Sequence, residues 1–141
     1  MNNSVKIIAE AAQGYEGKIE QALLLAKGAI AVGADAIKFQ LVFADELATP
    51  DYHWYNLFKE LEMSLEEWTK IADLVHESKD CQLIFDVFGD KSLEYAKCLG
   101  ASGVKIHTTD FYNHNLVQDV LKNFSEVYNA FGGMNISEIH R

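Results

Sequence analysis

Lys38 and Lys105 close two stretches that nearly repeat one another, Val32-Gly33-Ala34-Asp35-Ala36-Ile37-Lys38 and Leu99-Gly100-Ala101-Ser102-Gly103-Val104-Lys105. Each runs from the end of a helical pattern through a Gly-Ala turn into a short apolar strand, and ends on the lysine. The small residues Ala36 and Gly103 share strand parity with the lysines, so both lysines are expected to face inward from one sheet. An ammonium withdrawn from water is costly unless an anion or a carboxylate pairs with it. Two such groups aimed at one mouth suit a substrate carrying a carboxylate and a phosphate. The competing reading is structural, with each lysine paired to Glu10 or Asp86. Polar residues expected at strand ends are Glu10, Gln40, Asp86, His107, Thr108 and Asp110, and strand ends are where parallel barrels build active sites.

The elements that must position these groups alternate between two periodicities. A β-rich run, Val5 to Ala9, ends at Glu10 and leads into a glycine-punctuated loop, Gln13-Gly14-Tyr15-Glu16-Gly17. Apolar residues at Ile19, Ala22, Leu23, Ala26 and Ile30 mark an amphipathic helix from Lys18 to Val32, closed by Gly33. Ala36 to Gln40 is the second strand. A long connection, 41–63, follows, with Tyr52, Trp54, Tyr55 and Phe58 clustered in it. The run Tyr52-His53-Trp54-Tyr55 is expected as a packed loop helix rather than a sugar-stacking platform. Ser64 and Glu67 form a capping box ahead of a helix with Leu65, Trp68, Ile71, Ala72 and Val75 on its apolar face. Gln82 to Val87 is strand three, Asp90 to Leu99 a helix, and Gly103 to Ile106 strand four. A helix around Leu116 to Leu121 and a strand around Glu126 to Ala130 follow.

Near-continuous apolar strands alternating with helices mean a parallel sheet covered by helices. The fold class is α/β, and the expectation is a truncated (β/α)8 TIM barrel of about four βα units plus a fifth strand. Asn135-Ile136-Ser137-Glu138 reads as one more helix start just before Arg141. A complete barrel takes about 250 residues, so residues 1–141 are expected to be the N-terminal half of one.

Composition narrows the partners. The chain has 141 residues, is 49% hydrophobic and 23% charged, and carries a net charge of −9. That charge argues against nucleic acid or an anionic membrane as a partner, since both require a cationic surface. No apolar run approaches the roughly 20 residues of a membrane helix, and the N-terminus lacks the pattern of a signal peptide. A cytoplasmic location is expected. Cys81 and Cys98 read as buried or half-buried free thiols. The histidines at 53, 76, 107, 114 and 140 show no close ligand spacing; of these, His107 is expected to face the mouth. Glu60, Glu62, Glu66 and Glu67 read as a solvated face.

Several stretches in order carry a resemblance: Ile7-Ile8-Ala9-Glu10; Gly33-Ala34-Asp35-Ala36-Ile37-Lys38-Phe39-Gln40; Val104-Lys105-Ile106 followed by Thr108-Thr109-Asp110; and Gly133-Met134 with Ile136-Ser137-Glu138-Ile139. Together they resemble the sialic acid synthase (N-acetylneuraminate synthase) family. The resemblance implies a transferase of polysaccharide biosynthesis that condenses phosphoenolpyruvate with an N-acetylated amino sugar such as N-acetylmannosamine. It implies that Lys38 and Lys105 hold phosphoenolpyruvate, that Thr108 helps bind its phosphate, and that Gln40 contacts the sugar. Glu10 and Asp110 match acidic positions near the reacting groups, making Glu10, Lys38 and Lys105 the catalytic candidates. A divalent metal, Mn or Mg, is implied for the family, with ligands beyond Arg141.

The chain departs from the family pattern in three places. The loop after strand one lacks the usual His and Asn. Phe85-Asp86-Val87-Phe88 puts an acid where a phosphate-binding hydroxyl is expected, and a carboxylate there would repel phosphate. Phe131-Gly132-Gly133-Met134 lacks another hydroxyl.

Two other functions fit the residues. One is a Schiff-base aldolase with Lys105 as nucleophile, and the other is a non-catalytic interaction module. An open half-barrel exposes strand edges and an apolar face, so a homo-oligomer is expected.

Overall fold

The structure is a computed structural model that describes residues 5–139. Its centre is a five-stranded sheet: β1 (Ile8–Ala12), β2 (Ala36–Gln40), β3 (Gln82–Val87), β4 (Gly103–Ile106) and β5 (Val127–Asn129). The strands lie in sequence order and every neighbouring pair is parallel. The connections carry α1 (Ile19–Ala31), α2 (Ala44–Leu47), α3 (Tyr55–Leu61), α4 (Leu65–Ser78), α5 (Asp90–Cys98) and α6 (His114–Asn123), and α7 (Ile136–Ile139) follows β5.

The internal repeat has a local cause. After α1, Gly33 takes φ +71°, its N–H donates to Ile30 O at 3.0 Å, and the Ala34 N–H donates to Ala29 O at 3.1 Å. After α5, Gly100 takes φ +63°, its N–H donates to Lys97 O at 3.1 Å, and the Ala101 N–H donates to Ala96 O at 3.0 Å. Both are the same glycine-dependent helix stop. Each delivers the chain into its strand in the same phase.

One face of the sheet packs on the helices. Ile37, Phe39, Leu83, Phe85, Val87, Val104 and Ile106 are all buried on it. Trp68 of α4 sits edge-on to Tyr15, Phe39 and Phe85, with ring centroids 5.1, 5.5 and 5.4 Å away. Such aromatic pairs add to the burial itself. The other face carries Glu10, Ala36, Lys38, Gln40, Ile84, Asp86, Gly103, Lys105 and Tyr128, which fall in register with one another. It curls inward: Lys6 donates to both Gln82 and Glu126, joining the two sides of the sheet.

Several expectations need correction. β1 begins at Ile8, not Val5, and Glu10 lies within it. Register with β2 starts at the Ile8–Ala36 pair, and Val5 and Ile7 are exposed. The pairing shifts between Glu10 and Ala12. The 41–63 connection folds into α2 and α3. The run Tyr52-His53-Trp54-Tyr55 is not the packed loop helix expected: only Tyr55 lies in α3, and Tyr52 and Trp54 are 45% and 52% exposed. Cys81 is buried but Cys98 is exposed, because α5 buries Ser92, Leu93 and Ala96 on a different face. Glu60 and Glu66 are solvated, whereas Glu67 completes the capping box on Ser64 and Glu62 accepts the Ala44 N–H at 2.8 Å. α6 starts at His114, where the Asn113 side chain accepts the Leu116 N–H. The helix start at Asn135 is present, with Asn135 and Glu138 bonding reciprocally.

Candidate functional site

Parallel pairing places Gln40 beside Asp86, and Asp86 beside Lys105, across β2, β3 and β4. Their side chains share the inner face, and Asp86 becomes the hub. Its Oδ1 accepts from Lys38 Nζ at 2.8 Å, and its Oδ2 accepts from Lys105 Nζ at 2.7 Å. Gln40 Nε2 donates to the same Oδ2 at 3.4 Å. Lys38 also pairs with Glu10 at 2.5 Å. Glu10 is fixed in turn by the Ala12 N–H, which donates to Oε1 at 3.1 Å.

Burial grades outward from this hub. The Asp86 side chain is 0% exposed, Lys38 8%, Lys105 26% and Glu10 51%. Burial is the strongest influence on Lys38 and favours the free amine. The hydrogen bonds and charges of Asp86 and Glu10 together outweigh it and hold the Lys38 pKa above the ordinary 10.5. Lys38 is therefore an ammonium at neutral pH. The cluster contains two lysines and two carboxylates, so opposite charges balance.

The remaining predicted residues lie at the end of β4. Thr108 to Asp110 form a 3-10 turn. The Asp110 carboxylate accepts from Thr109 Oγ1 at 3.0 Å. Thr108 Oγ1 lies against Gly132, where an added Cβ would come within 3.3 Å. His107 stacks obliquely on Phe88, with ring centroids 5.5 Å apart, and its Nδ1 lies 3.2 Å from Thr109 Oγ1. A cavity of about 510 Å³ adjoins this turn, lined by Leu47, Ala48, Thr49, Tyr52, Phe58, His107 and Thr109.

Glu10, Lys38 and Lys105 thus come together, with Gln40 beside them. Thr108 and Asp110 follow on the loop beyond Lys105, and among the described residues neither side chain bonds to the cluster. Strand parity was the signal for Asp86, whose central position depends on register between β3 and β4. The altered loop after β1 turns its aromatic residue away from the inner face. Tyr15 is fully buried in the helix-side core, and its hydroxyl donates to Gln40 O at 3.0 Å. Burial pushes its pKa well above the usual tyrosine range. The loop therefore props the end of β2. Among the described residues no group of three or more His, Cys, Asp or Glu could hold a metal ion, and no helix is long and apolar enough to cross a membrane.

Comparison with known proteins gives a consistent picture. The chain is 30% identical to the spore coat polysaccharide biosynthesis protein SpsE of Bacillus subtilis, over 96% of this chain and 39% of that protein. It is 29% identical to N,N'-diacetyllegionaminic acid synthase of Legionella pneumophila, over 76% of this chain and 34% of that protein. Among solved structures, the N-acetylneuraminic acid (sialic acid) synthetase of Leptospira borgpetersenii, in complex with citrate, superposes with a TM-score of 0.89 at 27% identity. That match covers 99% of this chain and 48% of the other, so the chain spans less than half the length of these relatives. The NeuB family model matches residues 25–141, and the chain belongs to the NeuB family.

Proposed function

We propose that this chain supplies the phosphoenolpyruvate-holding part of a sialic acid synthase-like enzyme, built as the N-terminal part of a (β/α)8 barrel and working in the cytoplasm on a polysaccharide precursor. The observation that carries the reading is the convergence of Lys38 and Lys105, from β2 and β4, on one point of the inner face. Two ammoniums so placed can bind the carboxylate and phosphate of phosphoenolpyruvate. Gln40 and Asp110 would then meet the amino sugar, and Thr108 the phosphate.

In the proposed reaction C3 of phosphoenolpyruvate attacks the aldehyde of an open-chain N-acetylated amino sugar. As the new C–C bond forms, the aldehyde C=O π pair moves onto its oxygen, which takes up a proton, and positive charge is left at C2. Water adds there with loss of one proton, and the adduct then collapses to a C2 ketone as its C2–O bond to phosphate breaks and the second water proton leaves with the phosphate. Glu10, half exposed beside Lys38, is the carboxylate available to stabilise that charge. The divalent cation implied by the family would need ligands outside the described residues.

Calorimetric titration with phosphoenolpyruvate tests the reading. Saturable binding is expected for the chain, and Lys38→Met or Lys105→Met should weaken it at least about tenfold, the loss of one charge-assisted hydrogen bond. Binding unaffected by both substitutions would reject the site. A Schiff-base aldolase needs an unprotonated lysine, whereas Lys38 is held as an ammonium and Lys105 Nζ is tied to Asp86. Borohydride with pyruvate is therefore expected to leave the chain unlabelled.

A homo-oligomer is part of the proposal, because β1 and β5 end the sheet among the described residues.

A further inference from the structure

We infer that Asp86 is a resident anion, occupying the seat between Lys38 and Lys105 and setting how strongly a phosphate or carboxylate ligand binds there. The inference rests on the cluster being the phosphoenolpyruvate site. Asp86 is 0% exposed and both of its oxygens are engaged, one by each lysine. Its geometry is that of a bound ligand carboxylate bridging two cations. Gln40 completes its shell at 3.4 Å.

The charge balance gives this arrangement its consequence. Glu10 and Asp86 already match Lys38 and Lys105 in number, which weakens the attraction the cluster offers an incoming anion. A phosphate entering the seat must displace Asp86. It gains two charge-assisted hydrogen bonds only as the protein loses two of the same kind. The displaced carboxylate would lie beside it and repel it. A serine at this position would instead free Lys105, leave Lys38 with Glu10 as its one carboxylate partner, and add a donor. Asp86 thus biases the site against highly charged ligands and is a specificity-determining residue.

The test compares the full chain with Asp86→Ser and Asp86→Asn by calorimetric titration with inorganic phosphate and with phosphoenolpyruvate. Both variants are expected to bind phosphoenolpyruvate at least about tenfold tighter than the parent. Equal or weaker binding by the variants, with parent binding still lost in Lys105→Met, overturns the role of Asp86 and leaves the site assignment standing. Absence of saturable binding to parent and variants alike overturns both.

Removing a buried carboxylate strains the fold, so stability provides a second readout. The variants should melt lower than the parent and regain stability as phosphate is added, while the parent responds less. An equal response from parent and variants counts against the inference. If neither variant folds, the parent itself decides. Its Asp86 carboxyl carbon resonance should move on saturation with phosphoenolpyruvate, and an unmoved resonance under saturation refutes displacement.

Discussion

Lys6 and Glu126, 120 residues apart, form an ion pair across the inner face of the sheet. Lys6 precedes β1 and Glu126 precedes β5, the two ends of the strand order. The same ammonium donates to Gln82 at the start of β3, and Tyr128 donates to Glu126 from above. This knot lies at the N-terminal ends of the strands, opposite the end where Asp86, Lys105 and Gln40 meet. It ties the segment before β1 to the segment before β5. Gly103 makes the approach possible, since a Cβ there would come within 2.9 Å of Glu126 O.

Replacing Lys6 by Met should cost about 1 kcal/mol in denaturant unfolding, because the pair is only partly shielded from water. The cost should depend on pH. Burial alone would raise the Glu126 pKa, but Lys6 and Tyr128 outweigh it and hold it below 4.5. Burial likewise lowers Lys6, yet Glu126 leaves it above 10.5. A depressed acid contributes stability above its unfolded value and loses it as pH falls through the folded one. A raised base contributes below its unfolded value and loses it as pH rises through the folded one. The difference between parent and variant should therefore be full at neutral pH, shrink below pH 4.5, and shrink again above pH 10.5. A difference constant from pH 3 to 11 would show that the pair does not form.

Two glycine substitutions should act in opposite directions. At Gly17, φ is +67° and a Cβ would fall 2.0 Å from Glu60 O. Gly17→Ala should destabilise the chain by about 3 kcal/mol or more through backbone strain and overlap. Gly28 lies inside α1 and an added Cβ meets nothing within 4 Å, so Gly28→Ala should stabilise by about 0.5–1 kcal/mol. Thermal melts of the two variants check both signs.

The two thiols should differ in reactivity. Cys98 is exposed, whereas burial pushes the Cys81 thiol above its ordinary pKa of 9.0 and limits its access. Maleimide should label one thiol per native chain quickly and the second only on unfolding. Rapid labelling of both would contradict the packing of β3 against its neighbours.

What was legible in the sequence is what local chemistry determines. The Gly-Ala repeat encodes two identical helix stops whose hydrogen bonds span only a few residues. Alternation along short apolar strands then put Lys38 and Lys105 on one face, and the capping box marked the start of α4. The tertiary structure decided everything that depends on register between distant strands. Only the pairing of β3 with both β2 and β4 makes Asp86 a bridge between the lysines, and only the curl of the sheet brings Lys6 to Glu126. The same holds at the edges. β-propensity at Val5 and Ile7 suggested an earlier start for β1, but a strand begins where a partner offers its hydrogen bonds, and β2 first does so at Ala36. Residue type alone suggests a buried or half-buried Cys98, yet it is exposed because α5 buries a different face, that of Ser92, Leu93 and Ala96. Periodicity records which side chains share a face; which of them touch is settled by the pairing of strands far apart in the chain.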